Sequence, residues 1–253
     1  MNRKGLVVIT GSAGRIGRTA VQELLARGHD VRGFDRVAGG AETQVGSILD
    51  ATAVRHALAG ATTLIHLAAT PDDTEDFAGD LVPNNILGLH LVLEAARAAG
   101  VARVILASSG QVNDTQQREG PWPVRASDPV TPRYWYAATK MFMESIGFSF
   151  SQQHGMSVIA ARLGWCPRTP GQVAEIAASE RFRDVYLSPG DAGRFFACAV
   201  EAPDSLRWAI VFGASRPLKQ PRFDLASAKR LIGFEPREQW PQGIEVLTGG
   251  KTP

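Results

Sequence analysis

The stretch "VVITGSAGRIG", residues 7–17, carries three glycines at intervals of three directly after an apolar run. A strand that ends in such a turn, with a helix opening behind it, is typical of a phosphate-binding loop. Gly11 permits the tight turn, Gly14 the close approach of a pyrophosphate, and Gly17 the packing of helix against strand. The alternative is a flexible surface loop, and residues further along the chain favour the phosphate-binding interpretation.

Short apolar runs alternate with helical patterns through the first two-thirds of the chain. The runs are almost continuously apolar, which indicates buried parallel strands rather than antiparallel ones. They cover residues 5–10, 30–35, 62–68, 101–108 and 156–163. The helical patterns between them end at Gly28, Gly60, Gly100 and Gly155. This rhythm predicts an α/β fold with a doubly wound, mostly parallel Rossmann sheet.

The organisation that we predict is a single domain over residues 1–253, since one α/β domain of this length is ordinary. Residues 1–162 form the dinucleotide-binding core, and 163–253 form mainly a small substrate-side cap. Within that cap we expect a loop after residue 163, a short strand near "VYLS", a helix from Pro189, a strand "WAIVFGA" and a last helix "DLASAKRLIG". Residues 110–133 read as a long loop, which is usually functional in a compact domain.

Composition limits the class of protein. Hydrophobic residues are 44%, charged residues 21% and the net charge is +2, with scattered cations, so we expect a globular protein without a nucleic-acid partner. No apolar run approaches the roughly 18 residues of a membrane span, and no signal peptide is evident. The two cysteines form no CxxC pair and the five histidines show no metal-binding spacing. We therefore expect free thiols, no metal site and a cytoplasmic location.

Asp35 ends the second predicted strand, 18 residues after Gly17. An acid at this place accepts hydrogen bonds from the adenosine ribose hydroxyls of a dinucleotide. A 2′-phosphate would meet a like charge there, which favours NAD over NADP. Arg36 leaves the alternative open, because an adjacent arginine can hold that phosphate.

The stretch "YWYAATK" places Tyr136 and Lys140 four residues apart on a predicted helix, and hence on one face. Tyr134 has Ala138 at the same spacing. A free phenol has a pKa of about 10, which a nearby ammonium and a positively charged nicotinamide both lower. Serines at the end of the strand "ILASSG" could hydrogen-bond the same substrate oxygen. A Tyr–Lys pair often arises by chance, but the glycine turn upstream favours a catalytic role.

The stretches "TGSAGRIG", "HLAA", "NNILGL", "ASSG" and "YAATK" together resemble the extended short-chain dehydrogenase/reductases, the NAD-dependent epimerase/dehydratase superfamily. The resemblance implies Ser109 as the catalytic serine beside Tyr136 and Lys140, and NAD as the cofactor. Ser47 stands where the family has an adenine-contacting acid. Besides the three glycines, Asp35 and the Tyr–Lys pair, the implied cofactor-binding residues are Ser12, Arg15, Ile16, Arg36, Ser47, Ile48, Leu67, Ala68, Ala69 and Asn85.

Within this superfamily the chain is most similar to uronate dehydrogenases, which oxidise the anomeric carbon of a hexuronic acid with NAD. The stretches that carry this similarity include "ARLGWCP", "SPGDAGRFFACAVEAP" and "IVFGAS". Gly110, Gln111 and Trp165 depart from the polar residues of that family, while Arg181 or Arg183 falls near its carboxylate-binding arginine. The substrate residues that the resemblance implies are Thr70, Ser109, Gly110, Gln111, Trp165 and Arg181.

The function that these residues predict is an NAD-dependent oxidoreductase with a Ser-Tyr-Lys site. It transfers hydride between a sugar, sugar acid or related hydroxyl compound and nicotinamide, so its partner is a small-molecule substrate. One alternative is a nucleotide-sugar epimerase or dehydratase, for which the roughly 90 residues after Arg162 are few. The other is a non-enzymatic dinucleotide-sensing regulator, a class that commonly loses the Tyr–Lys pair. The resemblance also implies a homodimer through helices 84–99 and 134–153.

Overall fold

The structure, a computed structural model, describes residues 5–40, 43–71, 74 and 76–248. Seven strands in this part of the chain form one sheet: β1 (Leu6–Thr10), β2 (Val31–Asp35), β3 (Thr43–Val45), β4 (Ala61–His66), β5 (Arg103–Ser109), β6 (Ser157–Leu163) and β7 (Trp208–Gly213). Their order across the sheet is β3-β2-β1-β4-β5-β6-β7, and neighbouring strands pair in parallel. The predicted doubly wound α/β fold is therefore confirmed.

Helices connect the strands: α1 (Arg15–Ala26), α2 (Ala51–Leu58), α3 (Leu89–Ala98), α4 (Asp114–Glu119), α5 (Trp135–His154), α6 (Pro170–Ala178), α7 (Glu180–Asp184), α8 (Pro189–Val200), α9 (Leu225–Ile232) and α10 (Glu245–Thr248). A π-helical stretch, Phe77–Gly88, leads into α3, and a 3₁₀ turn, Gly110–Asn113, leads into α4. Among the described residues, none of the helices combines the length and apolar character that a membrane span requires.

The core lies on both faces of the sheet, because alternate strand residues point to opposite sides. Val7 and Ile9 of β1 pack with α1, α8 and α9 on one face. Val8, between them, packs with α2, α3 and α5 on the other. Strands buried on both sides read as continuous apolar runs, which is why the sequence revealed them.

The predicted helix ends have the expected geometry. Asp50 caps α2, where its carboxylate accepts hydrogen bonds from the backbone N–H groups of Thr52 and Ala53. The glycines at the helix ends adopt positive φ angles, a conformation that other residues rarely take. These glycines are Gly28, Gly60, Gly100 and Gly155.

Several elements differ from the sequence prediction. The short polar strand β3 was not predicted, and the loop expected over residues 110–133 contains the 3₁₀ turn and α4. The strand expected near "VYLS" is wrong, because Tyr186 forms only an isolated bridge with Trp165. The segment after residue 163 contributes β7 to the sheet and α8 and α9 to one face, besides residues near the site. Three-residue strands and five- or six-residue helices carry too little periodicity for a pattern to show.

Candidate functional site

A cavity of about 630 Å³ runs along the carboxyl ends of the strands. The sheet order reverses between β1 and β4, and ligands of open α/β sheets bind at such a switch point. One end of the cavity is lined by the glycine turn and the end of β2, and the other end by residues after β5 and β6. The cavity thus has room for a dinucleotide at one end and a small substrate at the other.

The glycine turn fits a pyrophosphate. Gly11 has a φ of +74°, and a Cβ there would lie 2.7 Å from the backbone nitrogen of Ala68. A Cβ on Gly17 would lie 2.7 Å from Cα of Ser12, so both glycines allow close packing. A Cβ on Gly14 would meet a single atom within 4 Å and would stand in the cavity instead. No side chain caps the N-terminus of α1, which leaves its N–H groups for an anion.

Asp35 connects the glycine turn to the end of β2. Its Oδ2 accepts a hydrogen bond from the backbone N–H of Ala13 at 2.9 Å, and its Oδ1 accepts one from Val37 at 3.2 Å. The carboxylate lines the cavity, and so does the exposed Arg36 beside it. Asp35 and Arg36, the two residues on which the predicted choice between NAD and NADP depends, therefore lie at one end of the cavity.

The other predicted cofactor residues divide into two groups. Most of them line the cavity, namely Arg15, Ile16, Ile48, Leu67, Ala68 and Ala69. Ser12 and Ser47 are not part of its lining. Ser12 Oγ is buried without a hydrogen-bond partner. It lies so close to Gly33 that a Cβ added to Gly33 would be 2.5 Å from it. Ser47 Oγ accepts a hydrogen bond from the backbone of Leu49.

Asn85 fastens the loop after β4 rather than lining the cavity. Its side chain accepts a hydrogen bond from the backbone N–H of Thr70 at 2.8 Å and donates one to the carbonyl of Thr70 at 3.1 Å. It also donates to Oγ1 of Thr139 on α5 at 3.1 Å. Neither Asn85 nor Thr70 lines the cavity, whereas the adjacent Asn84 does.

Ser109, Tyr136 and Lys140 all line the cavity at the carboxyl end of β5. Tyr136 and Lys140 lie on successive turns of α5, with Nζ of Lys140 5.4 Å from the centroid of the Tyr136 ring. Nζ donates a hydrogen bond of 2.8 Å to the carbonyl of Ala107 in β5. Ser109 ends that strand, and its Oγ accepts a hydrogen bond from the N–H of Gln111 at 3.2 Å. The three predicted catalytic side chains therefore line the same cavity, with Lys140 beside the Tyr136 ring and bonded to β5 two residues before Ser109.

Burial lowers the pKa of Lys140 to about 8. His66, at the end of β4, is also fully buried, and burial together with the positive charge of Lys140 lowers its pKa to about 3. Its Nδ1 shares a hydrogen bond of 2.8 Å with Oγ1 of Thr10. His66 is therefore neutral near neutral pH, and Lys140 supplies positive charge beside the Tyr136 ring.

A buried ion pair holds α5 against β5 and β6 directly beneath the site. Glu144, one turn after Lys140, accepts two hydrogen bonds from Arg162 at 2.8 and 2.7 Å and one from Ser108 Oγ at 2.6 Å. Arg162 also donates to Oδ1 of Asn113 in the 3₁₀ turn at 2.8 Å. The sequence analysis missed this network. Its only signal was an arginine in the otherwise apolar stretch "VIAARLG".

At the substrate end, Gly110, Gln111, Trp165 and Arg181 line the cavity. A Cβ on Gly110 would lie 2.5 Å from the Phe223 ring, so only glycine fits there without a shift. Arg183, the alternative to Arg181 in the sequence analysis, donates a hydrogen bond to the carbonyl of Ala177 and does not line the cavity.

Arg181 is engaged on two sides. Its guanidinium lies 4.1 Å from the centroid of the Phe182 ring, and that ring meets Trp165 edge-on at 4.7 Å. Its NH1 donates a hydrogen bond of 3.1 Å to Oε1 of Gln117. Burial and the neighbouring Arg118 lower the pKa of Arg181. Trp165, which packs against the Phe182 ring, adds bulk and an apolar face to this end of the cavity.

Helix α4 supplies cavity residues that the sequence analysis missed: Asp114, Gln117 and Arg118. Arg118 Nε donates a hydrogen bond of 2.7 Å to Asp114 Oδ2. Part of the segment 110–133 therefore lies at the cavity, and its functional role stays a prediction. Its prolines and short helix gave no pattern that could single out these three side chains. Among the described residues, the structure contains no cluster of acids, histidines or cysteines that could hold a metal, and both cysteines are free.

The doubly wound sheet, the glycine turn at its switch point and the strand-end acid define a dinucleotide-binding α/β protein. The chain matches the NAD dependent epimerase/dehydratase family over residues 7–165, and it belongs to that family. The superfamily resemblance is thereby confirmed, and the family is NAD dependent, as predicted for this chain.

Three relatives span most of the chain. L-arabinose 1-dehydrogenase (NAD(P)(+)) of Haloferax volcanii is 33% identical over 251 residues, which cover 92% of this chain and 96% of the relative. Uronate dehydrogenase of Pseudomonas syringae pv. tomato is 26% identical over 215 residues, 83% of this chain and 74% of the relative. The solved structure of a mutated uronate dehydrogenase superposes with a TM-score of 0.76 at 26% identity, over 97% of this chain and 86% of that one.

Proposed function

We propose that this protein is an NAD-dependent dehydrogenase that oxidises a hydroxyl group of a sugar or sugar acid. The observation that carries the proposal is that Ser109, Tyr136 and Lys140 all line the cavity that begins at the glycine turn, with Lys140 beside the Tyr136 ring. Relatives named as arabinose and uronate dehydrogenases support the substrate class. NAD, when bound, accepts the hydride.

Tyr136 is the general base in this proposal. Its phenol takes the proton of the substrate hydroxyl, and the ammonium of Lys140 stabilises the phenolate that accepts it. The hydrogen bond from Lys140 to Ala107 fixes that ammonium against β5. Ser109 Oγ donates to the substrate oxygen and holds it beside Tyr136.

The chain's own residues position the cofactor. The N–H groups of the glycine turn and of the N-terminus of α1 would bind the pyrophosphate, and Asp35 would bind the adenosine ribose. Leu67, Ala68 and Ala69 line the cavity and would contact the adenosine half. Asn85 acts indirectly, because it fastens Thr70 to α5 through Thr139.

The test is a screen of aldoses, uronic acids, sugar phosphates and secondary alcohols for NADH production by the wild type and by Tyr136→Phe. Net NADH that depends on the substrate and on Tyr136 supports a dehydrogenase. An epimerase or dehydratase would convert a nucleotide sugar without net NADH, and a regulator would bind the dinucleotide without turnover. Either of those outcomes would replace the proposal.

We propose further that the protein forms a homodimer through the π-helical stretch, α3 and α5. Leu87, Trp135 and Phe148 are large exposed apolar side chains on these elements, and such groups favour burial between subunits. Phe148→Glu should give a monomer in light scattering, whereas Leu25→Glu on α1 should not change the mass.

From composition alone we propose a cytoplasmic location and no nucleic-acid partner.

A further inference from the structure

One side of the substrate end of the cavity is formed by α4 and α7, and a carboxylate there bridges two guanidinium groups. Asp114 Oδ2 accepts a hydrogen bond from Arg118 Nε at 2.7 Å, and Asp114 Oδ1 lies 3.5 Å from Arg181 NH1. All three side chains line the cavity. Asp114 is 3% exposed, so its carboxylate is part of the wall rather than of the solvent.

Arg181 makes two further contacts in this wall besides the one with Asp114. Gln117 accepts a hydrogen bond from its NH1, the atom that also faces Asp114, and the Phe182 ring covers one face of the guanidinium. A ligand anion that sought the NH1 edge of Arg181 would therefore have to displace a carboxylate and an amide that are already in place.

The charge around Asp114 differs between the rim and the interior. Arg118 and Arg133, the latter 3.8 Å from Asp114 Oδ2, have side chains that are 33% and 48% exposed. Water and salt screen such groups. The side chains of Arg181 and Asp114 are 16% and 4% exposed. Arg222, whose side chain is 10% exposed, bonds the backbone of Gln117 and also acts on Arg181, but it is paired with Asp184 and does not line the cavity. Of the four charges first named, the inward ones are thus the opposite charges of Arg181 and Asp114.

We infer that Asp114 is a specificity-determining residue that occupies Arg181 and excludes sugars carrying a carboxylate, so that the cavity takes a neutral sugar. This inference rests on the proposed function. A substrate carboxylate at Arg181 would stand beside that of Asp114, and like charges so close repel. A neutral hydroxyl meets no such conflict, because it can donate to Asp114 and accept from a guanidinium. Sites that hydrogen-bond hydroxyls in this way discriminate strongly.

The test compares D-galactose with D-galacturonate, which differ only in a hydroxymethyl against a carboxylate group. Affinities for both are measured by calorimetry in the presence of NADH, and kcat/KM with NAD. Asp114→Asn removes the charge and keeps the shape. Asp128→Asn is the matched control, because Asp128 lies on the same segment, bonds Gln116 and Arg125, and does not line the cavity.

The wild type should prefer galactose. In Asp114→Asn the ratio of galacturonate to galactose affinity should rise by about tenfold or more, as expected when a close like charge is removed. In Asp128→Asn the ratio should stay within about twofold, since Asp128 is partly exposed to solvent and does not line the cavity. Arg181→Gln added to Asp114→Asn should abolish the gain, an outcome that a merely structural effect of Asp114 would not produce. Asp114→Ser replaces Asp114→Asn if the latter does not fold.

A wild type that binds galacturonate as tightly as galactose overturns the inference. It would mean that Arg118 and Arg133, rather than Asp114, determine the affinity for a carboxylated sugar. An unchanged ratio in Asp114→Asn overturns the inference as well, and so does failure of Asp114→Asn to bind galacturonate. A wild type that binds galactose and no galacturonate supports it. If the ratio shifts but no sugar yields NADH, the proposed function fails and the role of Asp114 stands. If sugars yield NADH and the ratio does not shift, the role of Asp114 alone fails.

Discussion

The backbone N–H of Ala13 donates a hydrogen bond of 2.9 Å to the carboxylate of Asp35, so the glycine turn and the end of β2 form one unit. We predict that NAD is preferred over NADP, because a 2′-phosphate would approach this carboxylate. The comparison is kcat/KM for both cofactors in the wild type and in Asp35→Ala, where the preference for NAD should fall. A wild type that favours NADP would assign the deciding role to Arg36, which Arg36→Ala would then test.

Removal of the Tyr136 hydroxyl group should abolish most of the catalysis and leave cofactor binding intact. We expect Tyr136→Phe to lower kcat by about 10²- to 10⁴-fold, the usual effect of losing a positioned acid–base group. NADH titration should show that the cofactor still binds. Tyr134→Phe, two residues earlier, should keep kcat within the same order of magnitude. Near-normal turnover by Tyr136→Phe would contradict the mechanism and leave the fold untouched.

Lys140 should give the stability of the protein a pH dependence of defined sign. Burial lowers its pKa in the folded state to about 8 from an ordinary 10.5. Between these values the unfolded state binds more protons, so the free energy of unfolding contributed by Lys140 rises with pH. Over the whole window the rise is about 3 kcal/mol.

The measurement is urea unfolding of the wild type and Lys140→Met from pH 7 to pH 10.5 without cofactor. The wild type should gain stability relative to the variant above pH 8 and show a constant difference below it. Lys229→Met is the control, since Lys229 is exposed and its ion pair with Glu235 lies at the surface. A difference that does not change across the window would mean that Lys140 titrates normally.

Carboxylated sugars should be poor substrates. Gly110, Gln111 and Trp165 replace the polar residues expected around a hexuronate, and loss of those hydrogen-bonding partners should cost much of the activity on such a substrate. We therefore expect weak or no turnover of glucuronate and galacturonate, and preference for a smaller or less polar hydroxyl substrate. Steady-state assays decide: kcat/KM of about 10⁴ M⁻¹s⁻¹ or more, the low end for an enzyme on its own substrate, would refute this.

The features that depend on neighbours in the chain could be predicted from the sequence alone. A glycine turn between a strand and a helix, an acid at the end of the next strand, and Tyr136 one turn before Lys140 are all set by local spacing. Apolar runs likewise predicted six of the seven described strands at their correct places, all but β3, and glycines predicted the ends of four helices. The roles of these residues stay predictions, but their positions required no tertiary information.

Contacts between side chains of different elements could not be predicted from the sequence and follow from the packing of the folded chain. It brings Asp114 of α4 against Arg181 of α7, selects Arg181 over Arg183 for the cavity, and directs Asn85 to Thr70. It also buries the ion pair of Glu144 and Arg162 beneath the catalytic helix. Such pairings depend on how distant segments pack over the sheet, and a short helix in a proline-rich segment carries no periodic pattern from which that packing could be read.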